Sequence, residues 1–274
     1  MSTIIIATDF SDVATNAVDY ACAMAQDINM PVHVVHSYVI PVTFQENPMP
    51  VVSLEESKKG AQGQMDTLTA ELKNKYPQLN ISGHIAYGDI TDILKESIPQ
   101  YNAWMVVVGN SSSNDAGFWL GSNLLSTLRN LQCPVLAVPE DYKYKTISKI
   151  AFACDFKHVS ENLPGAELVE VTAKTGGALH VLNVDHDNQH FDADTPYEYE
   201  QLNDLIHAAN PEYHNIDNED VEAGIQSFIK DSDVDWLVVV PHKHSFFESL
   251  FHKSHTKALV KQAHIPILAL HKKS

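Results

Sequence analysis

The stretch that decides the fold is IIIATDFSDVATNAVDYA, residues 4–21, because the chain contains a second version of it. The counterpart is KIAFACDFKHVSENLPGAELVEV, residues 149–171. Each version is a short apolar run that ends in Asp-Phe and continues into apolar residues at helical spacing. In the first version Ser11 is placed to cap the following helix. The pattern predicts a buried strand, a turn and an amphipathic helix at the start of two similar halves.

Three further pairs of segments extend this repeat along both halves. The pairs are VHVVHSYV (32–39) with LHVLNVDH (179–186), AWMVVVGN (103–110) with DWLVVVPH (235–242), and CPVLAVP (133–139) with IPILAL (265–270). The offset is 146 residues from Asp9 to Asp155 but 132 residues from Trp104 to Trp236. The chain is therefore a tandem duplication whose second copy is shorter in its middle.

The composition of these segments predicts an α/β fold. Their apolar runs are continuous rather than alternating, which is typical of parallel strands buried on both faces. Strands separated by helical stretches indicate parallel β-α-β units and a doubly wound sheet in each half. The charged bridge EDYKYKTIS (140–148) leads us to expect domains at 1–143 and 144–274. A second helix is expected from Ser57 to Tyr76 and, in shorter form, within DADTPYEYEQLNDLIHAA (192–209).

Charge and cysteine content exclude several classes of protein. The formal net charge is −17 and Arg129 is the single arginine, which argues against nucleic-acid binding because that requires basic surface. The three cysteines stand far apart without a Cys-x-x-Cys pair, which argues against a disulfide framework and fits a reducing cytoplasm. Without a long apolar run, we expect no membrane span and no signal peptide.

Three features resemble the universal stress protein family. They are the Asp that follows the first strand, Gly88-Asp89 before a helix, and a loop of glycine and serine after the fourth strand. The resemblance covers nearly the whole chain, once per half, as in a tandem two-domain member. The loop of the family's ATP-binding members has a Gly-x-x-Gly step, a spacer and then Gly-Ser or Gly-Thr. GNSSSNDAGFWLGSN (109–123) keeps the outer glycines, but Ser112 replaces the middle glycine and the spacer is one residue short.

The resemblance implies a fold and a ligand site. The fold would be the adenine nucleotide alpha hydrolase-like one, with five parallel strands per domain in the order 3-2-1-4-5 and the last strands paired between domains. Asp9 would lie on the adenine or ribose side, and the backbone around Ser37 would line the base pocket. Ribose and phosphates would face Gly109, Ser112, Gly121, Ser122 and Asn123. Glycines permit close approach of the backbone, and amides at a helix start attract anions.

Each of these residues also has a structural interpretation. Asp9 can cap the first helix or hold a turn, as acidic residues at helix starts commonly do. Gly109 and Gly121 can serve only to permit tight turns. The sequence leaves both interpretations open.

The second half carries PHKHSFFESLFHKSH (241–255) where the first carries its glycine loop. In this alignment Pro241 replaces Gly109 and Lys253 replaces Gly121, which predicts that the second half has lost the usual nucleotide loop. The four histidines are open to three interpretations: a metal site, an anion site, or residues that surround a pocket filled by phenylalanine. We favour the filled pocket and expect no metal, because the neighbouring lysines would repel a cation. His33 and His180, in the second strand of each half, are expected to be satisfied core residues.

Taken together, these observations predict a non-catalytic, cytoplasmic stress-response protein whose first half binds ATP or AMP. We expect a homodimer or higher oligomer formed through the last strands, with no nucleic-acid or membrane partner. The alternative is a nucleotide-free interaction scaffold in which both pockets are closed. A slow nucleotide hydrolase is disfavoured, because Asp9 is the sole evident candidate for a metal-binding acid.

Overall fold

The computed structural model describes residues 2–39, 54–111, 131–186, 193–240 and 264–271. In the first half the strands are β1 (Thr3–Ala7), β2 (Val32–Tyr38), β3 (Ile81–Tyr87), β4 (Ala103–Asn110) and β5 (Val135–Pro139). In the second half they are β6 (Lys149–Ala153), β7 (Ala178–Asp185), β8 (Glu212–Asp217), β9 (Trp236–Val239) and β10 (Ile267–Ala269). The helices are α1 (Asp12–Asp27), α2 (Leu54–Lys75), α3 (Ile90–Gln100), α4 (Val159–Asn162), α5 (Gly165–Thr175), α6 (Thr195–Ile206) and α7 (Val221–Asp231).

All ten strands belong to one sheet, in the order β3-β2-β1-β4-β5-β10-β9-β6-β7-β8. Within each half the neighbouring strands are parallel and follow the predicted order 3-2-1-4-5. The two halves meet where β5 and β10 pair antiparallel, with Leu136 opposite Leu268. The structure confirms the doubly wound α/β fold and the pairing of the last strands within the chain.

The strands are apolar at successive positions because helices cover both faces of the sheet. Ile4 and Ile6 of β1 pack into a cluster with Met24 of α1, whereas Ile5 faces the opposite cluster with Leu94 of α3. All five of these side chains are 0% exposed. Burial of one such side chain stabilises the fold by about 1.5–3 kcal/mol. This two-sided burial explains why the strand segments show no polar alternation.

The helix after the first strand differs between the halves. In the first half α1 is continuous, and the hydroxyl of its predicted cap Ser11 accepts a hydrogen bond from the Ala14 amide at 3.2 Å. In the second half the predicted single helix is wrong, because the segment is divided into α4 and α5. Pro164 lies between them, lacks an amide hydrogen, and restricts Leu163 to an extended conformation.

The second helices agree with the prediction that the one in the second half is shorter. Helix α2 has 22 residues, and α6 has 12 residues and continues into a 3-10 turn at His207–Ala209. Among the described residues, no helix combines the length and the apolar content that a membrane crossing needs.

A buried hydrogen bond links the two halves beside the β5–β10 seam. The indole Nε1 of Trp236 in β9 donates to the hydroxyl of Tyr20 in α1 at 2.7 Å. Trp236 is 0% exposed and Tyr20 is 2% exposed, so water does not compete for this hydrogen bond. It joins the core of one half to a helix of the other.

The bridge between the halves is anchored by a buried carboxylate. Asp235 is 1% exposed, and its Oδ2 accepts hydrogen bonds from the amides of Ser148 and Lys149 at 2.7 and 2.9 Å. The ammonium of Lys145 lies 2.9 Å from Oδ1. Burial alone would raise the pKa of Asp235, but the hydrogen bonds from Lys145 and the two amides hold that pKa below its ordinary value.

We expect Tyr20→Phe to lower the free energy of unfolding by about 1–3 kcal/mol, because it leaves the buried Trp236 N–H without an acceptor. Denaturant unfolding of the full chain measures this change. Tyr197→Phe is the matched control, since that tyrosine is 60% exposed, and it should leave stability unchanged. Equal effects of the two variants would contradict a linking role for the Tyr20 hydroxyl.

We expect Asp235→Asn to destabilise the protein at pH 7 by about 1–3 kcal/mol, because it weakens a charge-assisted buried network. A carboxylate whose pKa is lowered by folding stabilises the protein above its unfolded pKa, near 4, and this contribution is lost as the pH falls through the folded value. The stability difference between wild type and variant should therefore shrink in acid.

Unfolding measured at neutral pH and again below about pH 4 tests this expectation. Asp233→Asn is the control, because Asp233 also contacts Lys145 but its side chain is 88% exposed. A stability difference between wild type and Asp235→Asn that stays constant with pH would show that ionisation of Asp235 does not contribute to stability.

Candidate functional site

Three of the predicted site residues lie at the carboxyl ends of strands in the first-half sheet. The register of parallel strands places Ala7 opposite Val35, so Asp9 and Ser37 follow at the same level beyond β1 and within the end of β2. Gly109 lies near the carboxyl end of β4, on the other side of β1. The strand order reverses between β1 and β4, which is where doubly wound sheets bind ligands. The other predicted loop residues fall outside the described part of the chain: Ser112, Gly121, Ser122 and Asn123.

Asp9 holds the turn that leads from β1 into α1. Its Oδ1 accepts hydrogen bonds from the amide of Ser11 at 3.0 Å and from the Ser11 hydroxyl at 2.6 Å. The helix cap itself is Ser11, so of the two structural interpretations the geometry supports the turn. Asp9 is half-buried, and its Oδ2 makes no hydrogen bond to any described residue. One carboxylate oxygen is therefore fixed by the turn while the other remains available.

Phe10 adopts a left-handed backbone conformation, with φ 62°. This conformation is strained for a bulky residue, and it persists only where surrounding contacts impose it. The Phe10 amide donates to the Thr8 hydroxyl at 3.0 Å, and its ring lies 4.4 Å from that of His36. In the second half Phe156 has the same conformation, with φ 51°. The Asp-Phe pair thus marks a backbone turn that both halves share.

His36 connects β2 to the end of β1, a contact the sequence analysis missed. Its Nδ1 lies 2.8 Å from the backbone oxygen of Thr8, which fits an N–H donor. Burial lowers the pKa of His36, and the Thr8 hydrogen bond and the charge of Asp9 only partly oppose this, so the ring is neutral at pH 7. In the second half, Asn183 makes the equivalent hydrogen bond to the Cys154 oxygen at 3.0 Å. The alignment of His36 with Asn183 in the repeated second strands was the sequence signal that could have indicated this contact.

The hydroxyl of Ser37 connects the end of β2 to the turn that follows β3. It donates to the backbone oxygen of Gly88 after β3. Gly88 has φ 132°, a conformation that only glycine adopts readily. Asp89 caps α3 by accepting from the Thr91 amide at 2.8 Å. The Gly-Asp motif of the sequence analysis therefore serves a turn and a helix start.

Gly109 is required by helix packing. A Cβ atom at this position would lie 2.9 Å from Cγ1 and 3.0 Å from the backbone oxygen of Val13 in α1. Backbone atoms cannot move away cheaply, so any larger residue would force α1 away from β4. This packing accounts for the glycine without a ligand and without the tight turn considered in the sequence analysis, because Gly109 lies within β4.

The equivalent edge of the second half has a different chemistry. Asp155 accepts a hydrogen bond from the Lys157 amide at 3.2 Å, as Asp9 does from the Ser11 amide. Burial, reinforced by the charge of Asp155, raises the pKa of Cys154 to about 12, so that its thiol is protonated at neutral pH. Pro241 and the rest of the histidine-rich stretch lie outside the described residues.

The histidines of the second strands differ between the halves. His33 Nδ1 lies 2.7 Å from the Ser82 hydroxyl and its Nε2 lies 2.7 Å from His84, so both ring nitrogens have partners, as expected of a satisfied core residue. His180 Nδ1 lies 2.9 Å from His214 Nε2, but the buried Nε2 of His180 makes no hydrogen bond within the described chain. The expectation of a satisfied core histidine is met at His33 and is wrong for one ring nitrogen of His180.

Solved structures with the same architecture extend over the whole chain. A universal stress protein from Archaeoglobus fulgidus DSM 4304 superposes with a TM-score of 0.72 at 14% identity, covering 99% of this chain and 98% of that one. A protein of unknown function from Pseudomonas aeruginosa PAO1 gives 0.59 at 12% identity, covering 100% and 93%. At these identities the likeness shows a shared fold. No curated protein sequence matches the chain at a significant level.

The sequence itself matches a family model in both halves. The model is that of the universal stress protein family, and it matches residues 1–139 and 147–271. The break between the matches falls within the bridge that separates β5 from β6. The chain therefore belongs to the universal stress protein family and carries two copies of the family's domain.

Proposed function

We propose that this protein is a non-catalytic, cytoplasmic stress-response protein that binds ATP or AMP at the carboxyl edge of its first half. The observation that carries the proposal is the geometry of Asp9. Its Oδ1 is held by Ser11, its Oδ2 has no partner among the described residues, and it lies where the strand order reverses. A carboxylate fixed in this way accepts hydrogen bonds from ribose hydroxyls or the adenine amino group without further ordering.

Electrostatics determines how such a site can hold phosphates. The net charge of −17 disfavours a phosphate held by general attraction to the surface. Binding must then depend on local donors, such as the backbone amides expected around Gly121 and Ser122 at a helix start. The second half lacks these glycines and is proposed to bind no nucleotide.

The proposal of a non-catalytic role is supported by the state of the reactive groups. Burial raises the pKa of Cys22 and of Cys154 to about 12, which keeps both thiols protonated. The described residues contain no disulfide between the three cysteines, which supports the cytoplasm as location.

A homodimer or higher oligomer through the last strands stays a prediction. Strand β5 is paired with β4 and β10, and β10 is paired with β9 and β5. Neither last strand has a free edge for a second copy. The outer strands of the sheet are β3 and β8.

The second candidate function is a nucleotide-free interaction scaffold. One observation favours it: packing against Val13 explains Gly109 without a ligand. In this case the carboxyl ends of the first-half strands would bind no ligand, and function would depend on the outer surface of the protein.

Asp9→Asn is expected to lower ATP affinity about 10-fold or more, since hydrogen bonds to charged groups contribute about 1.5–3 kcal/mol. Calorimetric titration of the full chain measures this, and denaturation of freshly purified protein shows whether an adenine nucleotide is released. Asp155→Asn is the matched control in the second half and should bind ATP as wild type does. Neither heat nor released nucleotide at micromolar sensitivity would reject nucleotide binding and favour the scaffold.

Gly121→Arg should abolish ATP binding if the first-half loop holds the phosphates, because the side chain would occupy the space of the ligand. Lys253→Arg changes the aligned position of the second half and should have no effect on affinity. The same calorimetric titration compares the two variants, with circular dichroism as the check on folding. Unchanged affinity of a folded Gly121→Arg variant would place the nucleotide elsewhere.

A further inference from the structure

The second strands and their neighbours carry the same three-residue arrangement in each half. In β2–β3 the register places His33 opposite Ser82, with His84 two residues further along β3. In β7–β8 it places His180 opposite Glu212, with His214 two residues further along β8. Residues two apart lie on the same face of a strand, so each set of three side chains converges. The two sets differ at one position, which is serine in the first half and glutamate in the second.

In the first half the set is a closed hydrogen-bond network. Ser82 and His84 occupy both ring nitrogens of His33, and the Tyr101 ring stacks on His33 with centroids 3.7 Å apart. A serine hydroxyl can donate or accept, so it adapts to whichever tautomer the ring adopts. The set needs no additional partner.

In the second half the same positions bring three atoms that can bind a metal close together. Nδ1 of His180 lies 2.9 Å from Nε2 of His214 and 3.6 Å from Oε2 of Glu212, and one ligand atom from each residue lies within 4.8 Å of the other two. His180 is 7% exposed, and its other nitrogen has no hydrogen bond within the described residues. The 2.9 Å contact between the two nitrogens requires an N–H donor on one of them, and no partner at Nε2 fixes which nitrogen of His180 carries the proton. With that proton on Nε2, the lone pair of Nδ1 can bind a metal.

We propose that His180, Glu212 and His214 form a binding site for a divalent transition metal of the zinc class. Two nitrogens bound tetrahedrally to zinc at about 2.0–2.1 Å lie about 3.3 Å apart, so the observed nitrogens need to separate by only a few tenths of an ångström. Two imidazoles and a carboxylate are a common ligand set for zinc and for related metals. The side chain of Glu212 is 66% exposed on the outer strand β8, which leaves the remaining coordination position to water.

The surroundings suit neutral imidazole ligands. The Phe228 ring of α7 covers the pair, with its centroid 4.7 Å from His214 and 6.2 Å from His180. Burial lowers the pKa of His180, which Glu212 opposes, whereas His214 and Lys149 add to the lowering. The nearby ammonium of Lys149 is directed to the Ser232 backbone oxygen at 2.7 Å. The charges that face the site are therefore Glu212, which favours a cation, and Lys149, which opposes it.

This inference is independent of the nucleotide proposal, because the site lies in the second half and between β7 and β8. A bound metal would tie the outer strand β8 to β7 through side chains as well as through backbone hydrogen bonds. The second half would then sense a metal ion, whereas the first half is proposed to sense a nucleotide.

The test is a calorimetric titration of the metal-free full chain with Zn²⁺, together with the visible absorption of the Co²⁺ form. Glu212→Ser, which copies the first half, should weaken Zn²⁺ binding about 10–100-fold, since loss of an outer-shell partner alone has effects of that size. Ser82→Ala is the matched control and should bind as wild type does. Unchanged affinity of Glu212→Ser would overturn the proposal, as would wild-type protein that binds no Zn²⁺ at micromolar concentration.

The histidine-rich stretch 241–255 is a competing source of metal binding. A second variant replaces His242, His244, His252 and His255 with alanine. It should keep Zn²⁺ binding at the proposed site between β7 and β8, together with the Co²⁺ spectrum of that site. Loss of all binding in that variant would assign the metal to the histidine-rich stretch and overturn the proposal. Circular dichroism of each variant confirms that it is folded, and Glu212 is exposed enough for its replacement to leave the fold intact.

Discussion

The antiparallel pairing of β5 with β10 is the constraint on which the rest of the structure depends. Without it, each half would present its last strand as an open edge with unpaired amide and carbonyl groups. With it, Leu136 and Leu268 lie opposite each other at 0% exposure, and ten strands form one sheet. The Tyr20–Trp236 hydrogen bond and the Asp235 network then act within a shared core. The two halves are therefore expected to unfold together.

Much of the fold could be predicted from the sequence because it depends on patterns that repeat. Continuous apolar runs identify buried parallel strands, and the two copies support each other's assignment. The division of the helix at Pro164 could have been inferred from that residue alone, yet the repeat suggested a continuous helix by analogy with α1. The left-handed backbone of Phe10 could not have been inferred from the sequence, since it depends on contacts with Thr8 and His36 that residue spacing does not reveal.

The candidate site was only partly predictable for a similar reason. The position of Asp9 follows from the end of the first strand. That one of its carboxylate oxygens is hydrogen-bonded while the other is not depends on the Ser11 hydroxyl. The packing reason for Gly109 depends on how closely α1 crosses β4 at Val13. The roles given to Ser112, Gly121, Ser122 and Asn123 stay predictions. The His180 cluster was missed because its members converge only through the register of β7 and β8.

The covalent joining of two similar domains has a consequence for how each can diverge. In a symmetric assembly of identical chains every substitution appears at both equivalent positions, so an altered site is altered everywhere. Here β5 and β10 pair within one chain, so the two halves are not identical and each position can change alone. A glutamate can replace serine at one strand pair while the other keeps its closed network. Fusion thus removes the symmetry that would otherwise force both halves to share one specialisation.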